Sequence, residues 1–152
     1  MGHRLTSWKR FIGLAGVAIT TLAATAQWSA SSIPAFHKTV PAAAALPHLL
    51  SESERQGVYF SHPYQQVAYQ MADHVPQLLY QMPCYCRCDL AMRHRSLHSC
   101  FEGTHAAVCS TCMSEAAYVY RESKKGKTAT QIRADIERGD WQEIDLENLH
   151  MD

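Results

Sequence analysis

Cysteine is missing from the first 83 and the last 40 residues of this 152-residue chain, so all six thiols fall between positions 84 and 112. The C-x-x-C-H signature of covalent haem attachment is missing too, because Met113 follows Cys112. No glycine-rich phosphate loop, Ser-His-Asp pattern or paired-carboxylate signature is found. These absences give no support to a haem protein, a nucleotide enzyme or a hydrolase, and they favour a non-catalytic role without deciding it.

The chain also lacks an excess of charge of either sign, since 14 Lys and Arg balance 14 Asp and Glu. Three of the basic residues, Arg4, Lys9 and Arg10, lie in the first 26 positions. Without that segment 11 basic residues face 14 acidic ones. The remaining chain therefore offers no electrostatic attraction to nucleic acid.

Residues 1–26 have the pattern of a secretory signal peptide. The three basic residues precede an apolar run of 14 residues, and Ala24-Thr25-Ala26 matches an A-x-A cleavage site. The run is shorter than the roughly 20 apolar residues that a membrane span needs, so no stable span is expected. The pattern predicts an exported protein, periplasmic or otherwise extracytoplasmic, which stays tethered to the membrane only if the signal is not cleaved.

Composition divides the rest of the chain into three parts. Residues 27–48 are rich in Ala, Ser and Pro and are expected to form a flexible arm. Residues 49–141 are predicted to form a Cys-rich helical metal-binding domain, and residues 142–152 an acidic tail.

Within the domain, apolar residues recur at helical spacing and the strand signal is weak. Ser61 is expected to cap a first helix that Pro76 interrupts. Three more helices are predicted: residues 77–81, residues 105–125 with Thr104 as N-cap, and a last helix from the capping box at Thr128 to Gly139. The expected fold is all-α, a small helical domain with a C-terminal helical hairpin and a Cys-rich loop.

The cysteines form the pattern C-x-C-x-C at Cys84, Cys86 and Cys88, followed by Cys100 and then by a C-x-x-C pair, Cys109 and Cys112. Cysteines one residue apart make strained disulfides, so the first three thiols need other partners. Copper(I) accepts two or three sulfur ligands, and thiolates select it. Structural zinc usually draws on two short-spaced knuckles, of which this chain has one, so zinc is the second choice of metal.

Histidines lie close to the thiols in sequence. His94 and His105 are candidate ligands or supporting groups, because neutral imidazole is a common metal ligand. His74 and His98 are expected at the surface instead.

Two other interpretations stay open. In one, Cys84, Cys86 and Cys88 are each bridged to a later cysteine, giving a disulfide-stapled interaction module. In the other, Cys109 and Cys112 or a pair from the loop cycle between thiol and disulfide, as in an oxidoreductase or redox sensor.

Three segments carry a family resemblance: P-C-Y-C-R-C at 83–88, H-R-S-L-H-S-C-F at 94–101 and H-A-A-V-C-S-T-C at 105–112. Together they resemble the PCYCGC-motif proteins, also called the CYCXC family, over residues 49–141. The resemblance implies a bacterial, exported protein with reactive or metal-binding thiols. Members are often lipid-anchored, and some carry selenocysteine in the motif.

The chain departs from the family pattern in two respects. Arg87 stands where the family often has Gly, which questions any need for a positive φ there, and a positive side chain beside two thiols would favour their thiolate forms. A cysteine that could accept a lipid near the cleavage site is missing, which questions membrane attachment.

The leading hypothesis is an exported protein that sequesters or hands on copper(I). Its partners would be the metal ion and a copper donor or acceptor protein. The candidate metal ligands are Cys84, Cys86, Cys88, Cys100, Cys109, Cys112, His94 and His105.

Overall fold

The computed structural model describes residues 33–151, which form six α-helices and no strand. The helices are α1 (Pro63–His74), α2 (Pro76–Tyr80), α3 (Cys88–Ala91), α4 (Leu97–Cys100), α5 (Ser110–Lys124) and α6 (Ala129–Arg138). Short 3₁₀ turns lie at Ala43–Ala45, Glu52–Glu54, Gly57–Phe60, Ala106–Val108 and Asp140–Glu143. The all-α prediction is confirmed. The signal peptide predicted for residues 1–26 lies outside the described residues.

The N-terminus of α1 differs from the expectation by one residue. His62, and not Ser61, is the N-cap, and its backbone N–H donates to the Gln65 side chain at 2.7 Å. Pro63 explains the shift, because a proline holds the preceding residue in extended geometry, and His62 has φ −116° and ψ 141°. Pro76 likewise opens α2 at its first position, where a proline is well tolerated, instead of only ending α1.

The single helix expected over residues 105–125 is divided at Cys109. Residues Ala106–Val108 form a 3₁₀ turn, Cys109 is extended with φ −126° and ψ 103°, and α5 begins at Ser110. The Cys109 N–H closes the turn on Ala106, while its carbonyl accepts the Met113 N–H. Thr104 is therefore not the N-cap of α5. Cys109 does not continue the helical face that carries Cys112, contrary to the prediction from their spacing.

The last helix follows the sequence prediction. The Thr128 N–H donates to the Gln131 side chain at 2.8 Å, and the Thr128 hydroxyl accepts the Gln131 N–H at 3.4 Å. Gly139 ends α6 with φ 88°, a left-handed conformation that glycine adopts without steric cost. Lys127 joins this helix to α5, since its ammonium lies 2.6 Å from Glu122 and 2.8 Å from Asp135.

Helices α1 and α5 pack against each other more extensively than any other pair of elements in residues 33–151. The Tyr69 ring meets Phe101 edge-on at 4.8 Å between centroids, and its hydroxyl donates to the Gly103 carbonyl at 2.6 Å. This contact fixes the chain just after α4 over α1. The core also contains four of the six cysteines, Cys84, Cys88, Cys100 and Cys112.

Residues outside the predicted domain also contact it. Pro34 is fully buried, the His37 ring stacks on Tyr80 at 3.9 Å, and Leu149 of the acidic tail is buried. The boundaries at residues 49 and 141 stay a prediction. Across residues 33–151 each helix is too short or too polar to span a bilayer.

Replacing Asp135 by Asn should destabilise the α5–α6 hairpin in a pH-dependent way. Burial raises the pKa of Asp135, but hydrogen bonds from Lys127 and Arg138 outweigh it and hold the pKa below the ordinary 3.8. A lowered native pKa adds stability above pH 3.8 that is lost as the pH falls through the native value. We expect the Asp135→Asn urea midpoint to drop by about 0.5 M at pH 7.

The difference in urea midpoint between Asp135→Asn and the unmodified protein should narrow below pH 4. Glu137→Gln, which changes an exposed carboxyl on the same helix, is the matched control and should leave the midpoint unchanged. A difference in urea midpoint that stays constant down to pH 2 would show that the Asp135 charge does not contribute to stability.

Candidate metal centre

Local chain geometry brings the three motif cysteines to one place. Pro83 follows α2 and starts a tight turn in which the Arg87 N–H lies 3.3 Å from the Cys84 carbonyl. Arg87 has φ 61° and ψ 28°, so the chain reverses there and Cys88 opens α3. The structure thus contains the positive φ that the Arg87-for-Gly difference had questioned. The guanidinium lies 3.3 Å from Asp89, so its charge is shared with that carboxylate.

Three sulfurs from two segments are in mutual contact. Cys84 Sγ lies 3.3 Å from Cys86 Sγ and 3.4 Å from Cys112 Sγ, and the Cys86 to Cys112 distance is 3.6 Å. We call these three residues the sulfur triad. Cys84 and Cys112 are buried, whereas Cys86 is partly exposed. The first turn of α5 therefore supplies the third sulfur to a pair held by the loop.

A second group of ligand atoms lies beside the triad. Cys88 Sγ is 3.3 Å from Cys100 Sγ, which is 3.4 Å from His94 Nδ1. The His94 and His105 rings meet edge-on with centroids 5.0 Å apart. We call Cys88, His94, Cys100 and His105 the Cys2His2 group, and one ligand atom from each lies within 4.8 Å of the other three.

The two groups are adjacent. His105 Nε2 lies 3.8 Å from Cys86 Sγ, and ligand atoms within 4.8 Å of one another also occur in two mixed sets. These sets are Cys84, Cys86, Cys88 and Cys100, and Cys86, Cys100, His105 and Cys112. Seven of the eight predicted ligands therefore come together, and the cluster could hold a metal ion.

Cys109 is the eighth candidate, and it belongs to none of these sets. The break before α5 places it as the N-cap, half-buried, although its thiol still interacts with Cys112 and Cys86. The two cysteines of the C-x-x-C pair therefore differ in position: Cys112 lies inside the cluster and Cys109 lies at its margin.

Hydrogen bonding among the thiols separates their acidities. Bonds from Cys100, Cys109 and Cys112 lower the pKa of the Cys86 thiol. Bonds from Cys112 and Cys84 lower the pKa of Cys100 to about 4. The pKa of Cys84 is raised by hydrogen bonds with neighbouring thiols, Cys100 first, and by burial. Two members of the cluster are therefore predisposed to be thiolates while their neighbours act as S–H donors.

Glu115 is a functional residue that the sequence analysis missed. It is fully buried, and Oε1 accepts the Tyr85 N–H at 2.8 Å, which ties the motif loop to α5. Burial raises the pKa of Glu115 to about 8, although hydrogen bonds with the Cys84 thiol and the Tyr85 N–H act to lower it. Its position three residues after Cys112, on the face that carries Cys112 and Ala116, was the available signal.

His98 was also misjudged, because it is fully buried and not at the surface. Its Nδ1 lies 2.9 Å from Glu102, and its ring meets Tyr80 edge-on. His74 is exposed, as expected.

Fold and site together define an all-α protein with a buried Cys/His cluster that could hold a metal ion. The sequence matches the family described as proteins of unknown function with PCYCGC motif over residues 14–143, and the chain belongs to that family. This confirms the resemblance seen in residues 83–88. Searches of the curated proteins and of the solved structures gave no match.

The left-handed turn at Arg87 predicts opposite effects for two substitutions. Arg87→Gly should keep the turn, whereas Arg87→Val should destabilise the protein by about 1–2 kcal/mol, because a β-branched residue is strained at positive φ. Thermal denaturation and the number of thiols that react with Ellman's reagent measure the outcome.

The same pair of changes at exposed Arg95, which lacks a positive φ, is the control. There Val should be at least as stable as Gly. Equal stability of Arg87→Gly and Arg87→Val would show that the left-handed turn at position 87 does not limit the stability of the protein.

Glu115 should be replaceable by Gln but not by Ala. Gln retains an acceptor for the Tyr85 N–H and nearly the same volume, whereas Ala leaves that amide unpaired and opens a cavity. We expect Glu115→Ala to be about 2–4 kcal/mol less stable than Glu115→Gln and to expose more reactive thiols. Glu143→Ala, at an exposed site, should match the unmodified protein, and similar values for Ala and Gln at position 115 would contradict the role of this contact.

Proposed function

We propose that this protein is exported and binds copper(I), which it sequesters or hands on. The observation that carries the proposal is the sulfur triad, whose three atoms lie within 3.6 Å of one another. Copper(I) is soft and accepts three thiolates, so the triad provides a complete ligand set. Zinc is the alternative metal, since other parts of the cluster offer mixed sulfur and nitrogen ligands.

The arrangement of the triad favours metal binding over a fixed disulfide framework. Each of its sulfurs touches two others, whereas a disulfide pairs only two sulfurs, so a Cys84–Cys112 disulfide would leave Cys86 to pair with Cys109 outside the triad. A bound metal ion would satisfy all three together. It would also protect them from oxidation in an exported protein, where free thiols normally become disulfides.

Partial exposure of Cys86 is consistent with metal transfer as well as storage. Two triad members are buried, and Cys86 with His105 forms the more open side of the cluster. A copper donor or acceptor protein that presents thiolates could reach the ion through Cys86. The N-terminal signal pattern supports a location outside the cytoplasm for this exchange.

Cys86 also favours a second candidate function, thiol-disulfide exchange. Its thiol is partly exposed, and hydrogen bonds from neighbouring thiols, first Cys100, lower its pKa. A stabilised, accessible thiolate is the nucleophile that such exchange needs, and Cys112, from a distant part of the chain, lies 3.6 Å away to resolve a mixed disulfide.

Copper(I) titration of the chain, exported to a bacterial periplasm and purified without oxygen, tests the main proposal. We expect tight binding in competition with a chromogenic copper(I) chelator. Cys84→Ser, Cys86→Ser and Cys112→Ser should each weaken it by about 100-fold or more, beyond the 10–100-fold cost of losing a supporting residue. Cys109→Ser is the matched control, because Cys109 lies outside the ligand sets.

Failure to compete with the chelator, or equal binding by all four serine variants, would refute copper binding at the triad. Oxidised glutathione then separates the second candidate. Thiol exchange predicts that the metal-free protein forms a mixed disulfide at Cys86 and that Cys86→Ser does not, and the absence of this product would count against the second candidate.

A further inference from the structure

The Cys2His2 group is left over once the sulfur triad is assigned to copper(I). Its two sulfurs come from the start of α3 and the end of α4, while its two imidazoles come from the loops before α4 and α5. Contacts inside the group are as short as those inside the triad, at 3.3 Å for Cys88 with Cys100 and 3.4 Å for Cys100 with His94. It is therefore a second convergence of ligand atoms, which adjoins the triad through Cys88, Cys100 and His105.

We propose that Cys88, His94, Cys100 and His105 form a separate zinc(II) site beside the triad, so that the protein holds two different metal ions. The proposal deepens the function above and rests on the assignment of copper(I) to the triad. It assigns the two imidazoles to zinc and not to copper.

Ligand chemistry favours this division. Zinc(II) takes four ligands in a tetrahedron and accepts mixed thiolate and imidazole sets, whereas an all-thiolate set selects copper(I). Zinc bonds of about 2.0–2.3 Å give a tetrahedron with edges of roughly 3.3–3.8 Å. The two shortest contacts of the Cys2His2 group already fall at 3.3 and 3.4 Å.

Charge also favours zinc at the second position. Copper(I) with three thiolates carries two formal negative charges in a largely buried place. Zinc(II) with two thiolates and two neutral imidazoles is formally neutral, so it can lie beside the triad without adding buried charge. A second copper(I) held by Cys88 and Cys100 would add another negative charge there.

The backbone around His94 is held in a conformation that places its side chain within the Cys2His2 group. The His94 N–H donates to the carbonyl of Cys88 at 3.3 Å, and the Cys88 thiol is another proposed ligand. Arg93, the residue before His94, has φ 60°. Left-handed backbone at a non-glycine residue is costly and persists where the surroundings demand it. Both histidines are partly exposed while both cysteines are buried, so an ion would enter from the histidine side.

Sequential titration of the full chain tests the proposal. The protein, purified without oxygen, is first given one equivalent of copper(I) and then cobalt(II), the spectroscopic substitute for zinc. We expect one equivalent of cobalt to give the intense ligand-field bands of tetrahedral coordination together with sulfur charge-transfer bands. One equivalent of zinc should then abolish both.

Two histidine variants locate the ligands. His94→Ala and His105→Ala should each lose the tetrahedral cobalt spectrum. His94→Ala should also keep copper(I) affinity within about threefold, because His94 shares no ligand set with a triad sulfur. His74→Ala, at an exposed position outside the ligand sets, is the control and should behave as the unmodified protein. Circular dichroism of each variant shows that the helices are intact.

The outcomes separate the two proposals. Cys84→Ser should lose copper(I) affinity but retain the cobalt spectrum, and cobalt binding without copper binding would refute only the proposed function. An octahedral cobalt spectrum, no cobalt binding, or an unchanged spectrum in both histidine variants would overturn the zinc site. Displacement of cobalt by a second equivalent of copper(I) would overturn the division of metals.

Discussion

The contact between the motif loop and the first turn of α5 is the constraint on which the site depends. Cys84 Sγ meets Cys112 Sγ at 3.4 Å, and the Tyr85 N–H is held by Glu115 at 2.8 Å. One contact supplies the third sulfur, and the other fixes the backbone that carries the first two. Without this junction the sulfur triad would lose its third member, because Cys84 and Cys86 supply only two of its sulfurs.

Burial and hydrogen bonding between the thiols determine the acidities of the groups in the cluster. Thiols that touch one another in a medium of low dielectric interact strongly. Hydrogen bonds lower the pKa values of Cys86 and Cys100, while hydrogen bonds with other thiols, and to a smaller extent burial, raise that of Cys84. Burial also raises the pKa of Glu115 to about 8, which favours its neutral form beside the cluster. A cation that binds there replaces protons and meets little competing positive charge, since Arg87 is engaged by Asp89.

Local signals in the sequence predicted local structure well. The capping box at Thr128 and the glycine at 139 define α6 because their hydrogen bonds lie within one turn. The division at Cys109 was missed, since spacing alone favours a continuous helix. Glu115 was missed because its partner, Tyr85, is 30 residues away, and a polar side chain is expected at the surface until such a partner is known. The burial of His98 was missed although its partner Glu102 is only four residues away, because a local pair does not reveal tertiary packing. The convergence of the cysteines was predictable from their density, but their grouping depends on the turn at Arg87.

Four cysteines are both core residues and candidate metal ligands, so metal binding at this cluster would be coupled to folding. Cys84, Cys88, Cys100 and Cys112 lie in the buried cluster with Phe101, Leu97 and Ala116, so the protein folds around its own binding site. A ligand that binds only the folded state stabilises it in proportion to the logarithm of its concentration over its dissociation constant. Metal ions that need converged thiolates meet this condition, because the unfolded chain does not hold Cys112 near Cys84. Under the proposed function, loss of the metal would loosen the junction between the motif loop and α5, and with it the more open side of the cluster at Cys86 and His105.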